Sequence, residues 1–317
     1  MKNRVFMWSC VVMAFFVACS QAEVENPEAE KMPMFISASI DNQDVSPKSR
    51  YAIADLQHLS FKEGDEIGLF VDNEEAVQWT FDGSAWIVDG NKTVYWPDII
   101  NLHTFRAFYP YIAATSYDAV EMPDLLTQDG DIDNLGKFDF LLATSEQIYQ
   151  EGGVVDFKTE TTSFQHVSAL LELKFLEGDD LVGMSINKVI LEGDGIASPA
   201  IYSFTAGKAI WDESDEALTV VPSPALGQDD PLYLVVNAVQ AAAVVKMTVE
   251  YEVNGEEYLA ECADFVTSNL AVGVSHGYNI TVQNHSLEIS EAVIQPWTSG
   301  GVVGEFEVNG QVKPGTV

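Results

Sequence analysis

The run "DGDIDN" at residues 129–134 sets Asp129, Asp131 and Asp133 at alternate positions, the spacing with which a calcium loop presents its first oxygen ligands. Asn134 stands where the hinge glycine belongs. Phe140 stands at the twelfth position, where a bidentate glutamate is needed, so the run is not an EF-hand and a solvated acidic loop is expected. His58, His103, His166, His276 and His285 are scattered, and none has the HExxH spacing of a zinc helix. His166 precedes an alternating strand and is expected to pack or cap. Cys262 lies in "EEYLAECADF", where Tyr258, Ala260 and Cys262 alternate with Leu259, Glu261 and Ala263. It is expected to be a small core residue, since a nucleophile needs a paired base and no histidine is near in sequence. No G-x-S-x-G elbow, P-loop or G-x-G-x-x-G after a strand is expected. The expectation is therefore a protein with no catalytic residue, no metal and no cofactor.

The chemistry at the N-terminus is different. Lys2 and Arg4 precede the apolar stretch 5–18, which is too short to span a membrane as a helix but suits a signal-peptide core. It ends in Phe16-Val17-Ala18-Cys19, which resembles a lipobox with Phe in place of the usual Leu. That resemblance implies that Cys19 becomes the acylated N-terminus, with stable anchoring from two or more chains at about 0.8 kcal/mol per buried CH₂. Cys10 would leave with the signal peptide, so Cys262 would have no intramolecular disulfide partner. The net charge is −34; without the two cations of the leader the remainder carries −36. Such a field repels nucleic acid and anionic lipid headgroups and suits an exported, soluble body.

The elements that follow read as strands. Residues 19–33, acidic and interrupted by Pro27 and Pro33, form a tether. "MFISASI" sets Met34, Ile36, Ala38 and Ile40 on one face. "DEIGLFV" is a buried run, and "VQWTFDGSAWIV" a hairpin centred on Asp82-Gly83. "TVYWP" and "HTFRAFYPY" are short strands stopped by proline, with Phe105, Ala107 and Tyr109 sharing a face. Residues 118–137 read as a long loop, and "DFLLATS" as a strand or a helical turn. A second set of strands starts near "VVDFKTE" and runs to Trp297, with a hairpin at Asn254-Gly255. Short strands at 8–12-residue spacing point to β-sandwiches or barrels. The expected division is 34–158, 159–297 and an extension at 298–317.

The ordered series "FKEGDEIGLFV", "TVYWP", "FRAFYPY", "DFLLATS", "FQHVSALLELKF" and "GYNITVQNHSLEISEAVIQPW", closed by Ile294-x-x-Trp297, resembles the fimbrillin-like proteins, the type V pilins, over most of residues 50–297. The resemblance implies an all-β fold of two tandem transthyretin-like Greek-key sandwiches, an outer-membrane lipoprotein displayed at the cell surface, and fimbrial assembly with other pilin subunits. In polymerising members an arginine-specific protease removes the leader with the first strand, and the C-terminal strand of another subunit fills the groove. From Cys19 onward the arginines are Arg50 and Arg106. Arg106 lies in an expected strand, whereas Arg50 follows the 34–40 stripe in a polar connection, so Arg50 is the candidate cleavage site; the alternative is an ordinary surface charge. The donor candidate is residues 302–308, with Val302, Gly304, Phe306 and Val308 on one face; the same stripe could instead close its own sheet. The alternative is a lipoprotein that does not polymerise and captures a glycan or a host protein. Its candidate stacking residues are Trp79, Trp86, Tyr95, Trp96, Tyr109 and Tyr111, most of them expected to be core.

Overall fold

The computed structural model describes residues 31–40, 60–88, 90, 92–179, 181–211, 216–227, 230–239, 244–266 and 270–297. Their regular elements are strands and short 3₁₀ turns, so the all-β expectation holds. The first half contains β1 (Phe35–Ala38), β2 (Glu66–Val71), β3 (Val77–Phe81), β4 (Trp86–Val88), β5 (His103–Tyr109), β6 (Val120–Glu121), β7 (Leu141–Gln147), β8 (Val154–Phe157) and β9 (Gln165–His166). Six of these form one sheet in the order β4-β3-β2-β5-β7-β9, while β1 pairs in parallel with β8.

The six-stranded sheet is covered on both faces, which explains why β2 reads as a continuous apolar run. Ile67, Leu69 and Val71 of β2, Phe105, Ala107 and Tyr109 of β5, and Leu141 and Ala143 of β7 point to one core. Phe70, Phe108 and Leu142, from the same strands, point to the other. Gly68 of β2 has no side chain because the Phe108 ring occupies the space a Cβ would need.

The second half contains β10 (Ala169–Glu177), β11 (Ser185–Glu192), β12 (Ala200–Ser203), β13 (Lys208–Trp211), β14 (Leu218–Val220), β15 (Pro231–Val236), β16 (Val244–Val253), β17 (Glu256–Val266), β18 (Val274–Gln283) and β19 (Ser286–Pro296). The eight-stranded order is β14-β11-β16-β17-β19-β18-β10-β15, and β17 meets β19 only at Glu261–Ser286. Strands on either side of that join contribute to one core, as in a sandwich. The β16–β17 turn uses Asn254 and Gly255, both at positive φ, the twist that a two-residue hairpin requires. In the Asp82 turn the carboxylate accepts from the Ala85 and Ser84 amides, the first contributing most, and these bonds hold its pKa below the ordinary value.

Two features differ from the expected layout. The chain passes residue 158 without leaving the first half: Phe164 lies in its core and β9 pairs with β7. Segment 118–137 is not a structureless loop. Asp124 and Asp131 cap 3₁₀ turns at Leu125–Thr127 and Ile132–Lys137. These turns place Leu125 and Leu135 in the core of the second half, and β6 pairs with β12. Gln128 donates to the Leu125 and Val235 carbonyls and accepts from the Val235 amide. The two halves are therefore interleaved.

His276 of β18 is buried, and among the described residues neither ring nitrogen has a hydrogen-bond partner. Burial lowers its pKa below 6.5. The unfolded chain takes up the proton first as pH falls, so stability present above the unfolded value is lost as pH falls through the folded one. Denaturant unfolding at pH 7.5 and 5.0 is expected to show a smaller loss of stability for His276→Leu than for the parent chain.

Candidate functional site

Residues 32–40 run extended along the first core. Met34, Ile36 and Ile40 are 3%, 9% and 3% exposed, whereas Phe35, between the first two, is 52% exposed. Ala38 is half-buried against the same core, which includes Phe105, Val155, Phe157 and Phe164. The period of two observed here is that of a strand with one dry face.

The backbone of this segment is held on both edges. On one, the Phe35 amide donates to the Gly153 carbonyl (2.9 Å), the Ser39 amide to the Phe157 carbonyl (3.0 Å), and the Phe164 amide to the Ser39 carbonyl (2.9 Å). On the other, the Met34 amide donates to the Val94 carbonyl (2.8 Å), and the Trp96 amide to the Met32 carbonyl (2.9 Å). Pro33 lies opposite Tyr95, so the end of the expected tether already belongs to the fold and "TVYWP" supplies a single bridge. These interactions are ladder hydrogen bonds and apolar burial. Any strand with the same alternation can make them.

Trp96 fastens the slot. Its indole Nε1 donates to the Gly153 carbonyl (2.9 Å), the same oxygen that accepts from Phe35. Its ring meets Phe105 and Tyr149 edge-on, at centroid distances of 4.9 and 5.6 Å. The following loop is pinned by Asp98, which accepts from the Asn101 side chain and the Asn101 and Ile100 amides. Those bonds, the Asn101 side chain first, hold the Asp98 carboxyl far below the usual range. His103 Nδ1 lies 2.7 Å from Asp72 Oδ2.

Of the residues singled out in the sequence, the structure brings Met34, Ile36, Ala38 and Ile40 together on one core. Cys19, Arg50 and Val302, Gly304, Phe306 and Val308 lie outside the described residues. Arg106 is fixed within β5, its guanidinium 4.3 Å from the Tyr117 ring and bonded to the Asp72 carbonyl. Trp79, Trp86, Trp96 and Tyr109 are buried, Tyr111 is half-buried and Tyr95 is 42% exposed. Together they do not form a stacking surface. Burial, then the neighbouring Asp65, pushes the Tyr109 hydroxyl pKa up. The Asp129 and Asp131 carboxylates accept from amides of their own loop. Cys262 is a half-buried free thiol packed on the second core.

Three features escaped the sequence reading. Gly273-Val274-Ser275-His276-Gly277 has the G-x-S-x-G spacing of a nucleophile elbow. It enters strand β18 rather than a strand-to-helix turn, and Ser275 is buried, so the arrangement is not that of an elbow. Gly153 and Trp96 clamp β1, a role with no local signature. Trp297 stacks on His166 at 4.2 Å, while His166 Nδ1 lies 3.0 Å from buried Asp139. The period of the strands gives no hint of that contact between the ends of two distant segments.

An all-β chain whose first described strand packs against a separate sheet defines a class of β-sandwich protein. The Fimbrillin-like family matches residues 53–297, and the chain belongs to that family. Its fold is similar to that of a Bacteroides ovatus protein described as a candidate for cell adhesion: TM-score 0.59, 20% identity, covering 85% of this chain and 99% of the other. A Bacteroides uniformis protein described in the same way gives TM-score 0.58 at 15% identity, covering 86% and 100%. A comparison with curated proteins returned no match.

Gly153 has φ +66°, and a Cβ there would run into the Pro33 carbonyl oxygen. Gly153→Ala is expected to cost about 1–3 kcal/mol, concentrated on β1. Hydrogen exchange checks this: the Phe35 and Ser39 amides should exchange at least about tenfold faster, with the amides of β5 unchanged.

Proposed function

We propose that this chain is a non-enzymatic fimbrial subunit or tip adhesin, exported as an outer-membrane lipoprotein with Cys19 acylated and assembled by strand exchange. The observation that carries the reading is the burial of Met34, Ile36 and Ile40 by a strand that lies outside the six-stranded sheet. Family membership supports the fimbrial role, and the adhesion description of the similar structures supports the adhesin alternative.

The energetics suit a triggered exchange. Each of the three buried side chains contributes roughly 1.5–3 kcal/mol, so the intact chain keeps its own strand. While tethered, that strand also enjoys an effective concentration that a free competitor rarely reaches, on the order of millimolar for short linkers. Cleavage after Arg50 would turn the occupant into a peptide that can diffuse away. The stripe Val302, Gly304, Phe306 and Val308 of another subunit would then bury comparable apolar surface in its place. Arg106 is a poor alternative site because its backbone is paired on both sides within the sheet.

Limited cleavage by a trypsin-like protease is expected to cut after Arg50 and to yield a ladder of oligomers that resist SDS without heating. Clean cleavage that leaves a monomer would contradict strand exchange and favour a lipoprotein that acts singly. Deleting residues 302–317 is expected to abolish the ladder while leaving cleavage intact; a ladder that persists rejects the donor assignment.

A further inference from the structure

We propose that the cleft between the β7–β9 edge and the β12–β13 hairpin binds an uncharged saccharide. The proposal is independent of strand exchange. The cleft encloses about 870 Å³, within the range of small-ligand sites. Trp211 and Tyr202 stand on one wall, Gln165 and His166 on the other, with Asn237 and Lys208 completing it.

The chemistry of the walls selects the ligand. This is a chain with 49 acidic residues, yet no carboxylate is found among the described residues that line the cleft. Among the described lining residues Lys208 is the one ammonium, and it is exposed. A charged ligand would find little to balance it. Hydroxyl and amide side chains opposite half-buried aromatic rings match the two faces of a sugar, one apolar and one rich in hydroxyls. His166 adds a second, independent sign. It is 4% exposed, its Nδ1 is engaged by Asp139, and its Nε2 has no hydrogen-bond partner among the described residues. A ligand hydroxyl that reached this nitrogen on binding would give it the partner it lacks.

The cleft also lies where both halves meet. Tyr202 packs on Phe140 of the first half at 6.2 Å, and the Asp118 carboxylate accepts from the Ser203 hydroxyl and the Thr205 amide. Its walls are therefore held by packing and hydrogen bonds of the body of the protein, as a preorganised site requires.

The test is calorimetry on the full mature chain with lactose, N-acetyllactosamine, maltotriose and mannotriose, with sialyllactose and trigalacturonic acid as charged counterparts. At least one neutral sugar is expected to bind. Trp211→Ala and Gln165→Ala, on opposite walls, should each weaken it at least about tenfold without changing the melting temperature. Gln165 is exposed, so that variant keeps the test valid if Trp211→Ala fails to fold. Binding of none of the neutral sugars, binding of charged ones alone, or affinity unchanged in the variants would overturn the proposal. Binding of a synthetic peptide of residues 298–317 in their stead would assign the cleft to the chain's own C-terminal segment and overturn it equally.

Discussion

The first half of this protein is completed by a strand that its main sheet does not contain. Met34, Ile36 and Ile40 close an apolar core lined by β2, β5, β7 and β8, and β1 reaches that core through hydrogen bonds to β8 on one edge and residues 94–96 on the other. Without β1, residues such as Phe157 and Phe164 would face water. The dependence is asymmetric: the six-stranded sheet makes its own ladder, whereas β1 has no partner in it. A strand held in this way is bound by backbone hydrogen bonds and apolar burial, without membership of that sheet.

The two halves are tied to each other by interleaving. Segment 118–137 carries Leu125 and Leu135 into the second core, while Phe204 of the second half reaches Phe70 of the first at 6.3 Å. Trp297 returns from the end of β19 to stack on His166 beside β10. Gly273 joins the same region, accepting from the Trp297 amide and donating to the Ser168 carbonyl. Loss of β1 would thus open one slot without separating the halves.

Much of this was legible in the sequence because the controlling chemistry is local. Asn254-Gly255 and Asp82-Gly83 announce their turns through residues that tolerate the required backbone angles. The stripes 34–40 and 105–109 alternate with the period of the strands they form. Where partners are distant, the signal fades. The parallel pairing of Ile36 with Val155 has no sequence signature, and neither does the placement of Gly153 under Pro33. Segment 118–137 is anchored by two leucines with no period, so it reads as a loop. Aromatic identity misleads for a related reason: Trp79, Trp86 and Trp96 could as well stack on a ligand as fill a core, and packing alone decided for the core. The family resemblance named the slot before the geometry did, but the slot's contents follow from alternation that any reader of residues 34–40 can check.

Under the proposed strand exchange, β1 must leave its slot before another molecule can enter. Phe35 and Val154 are register partners on the exposed face of the β1–β8 pair, so cysteines at both positions can tie the strand in place without disturbing the core. After cleavage at Arg50, the oxidised Phe35→Cys/Val154→Cys protein should remain monomeric, and reduction should restore assembly. Assembly of the oxidised, cleaved protein at the rate of the reduced one would contradict the account.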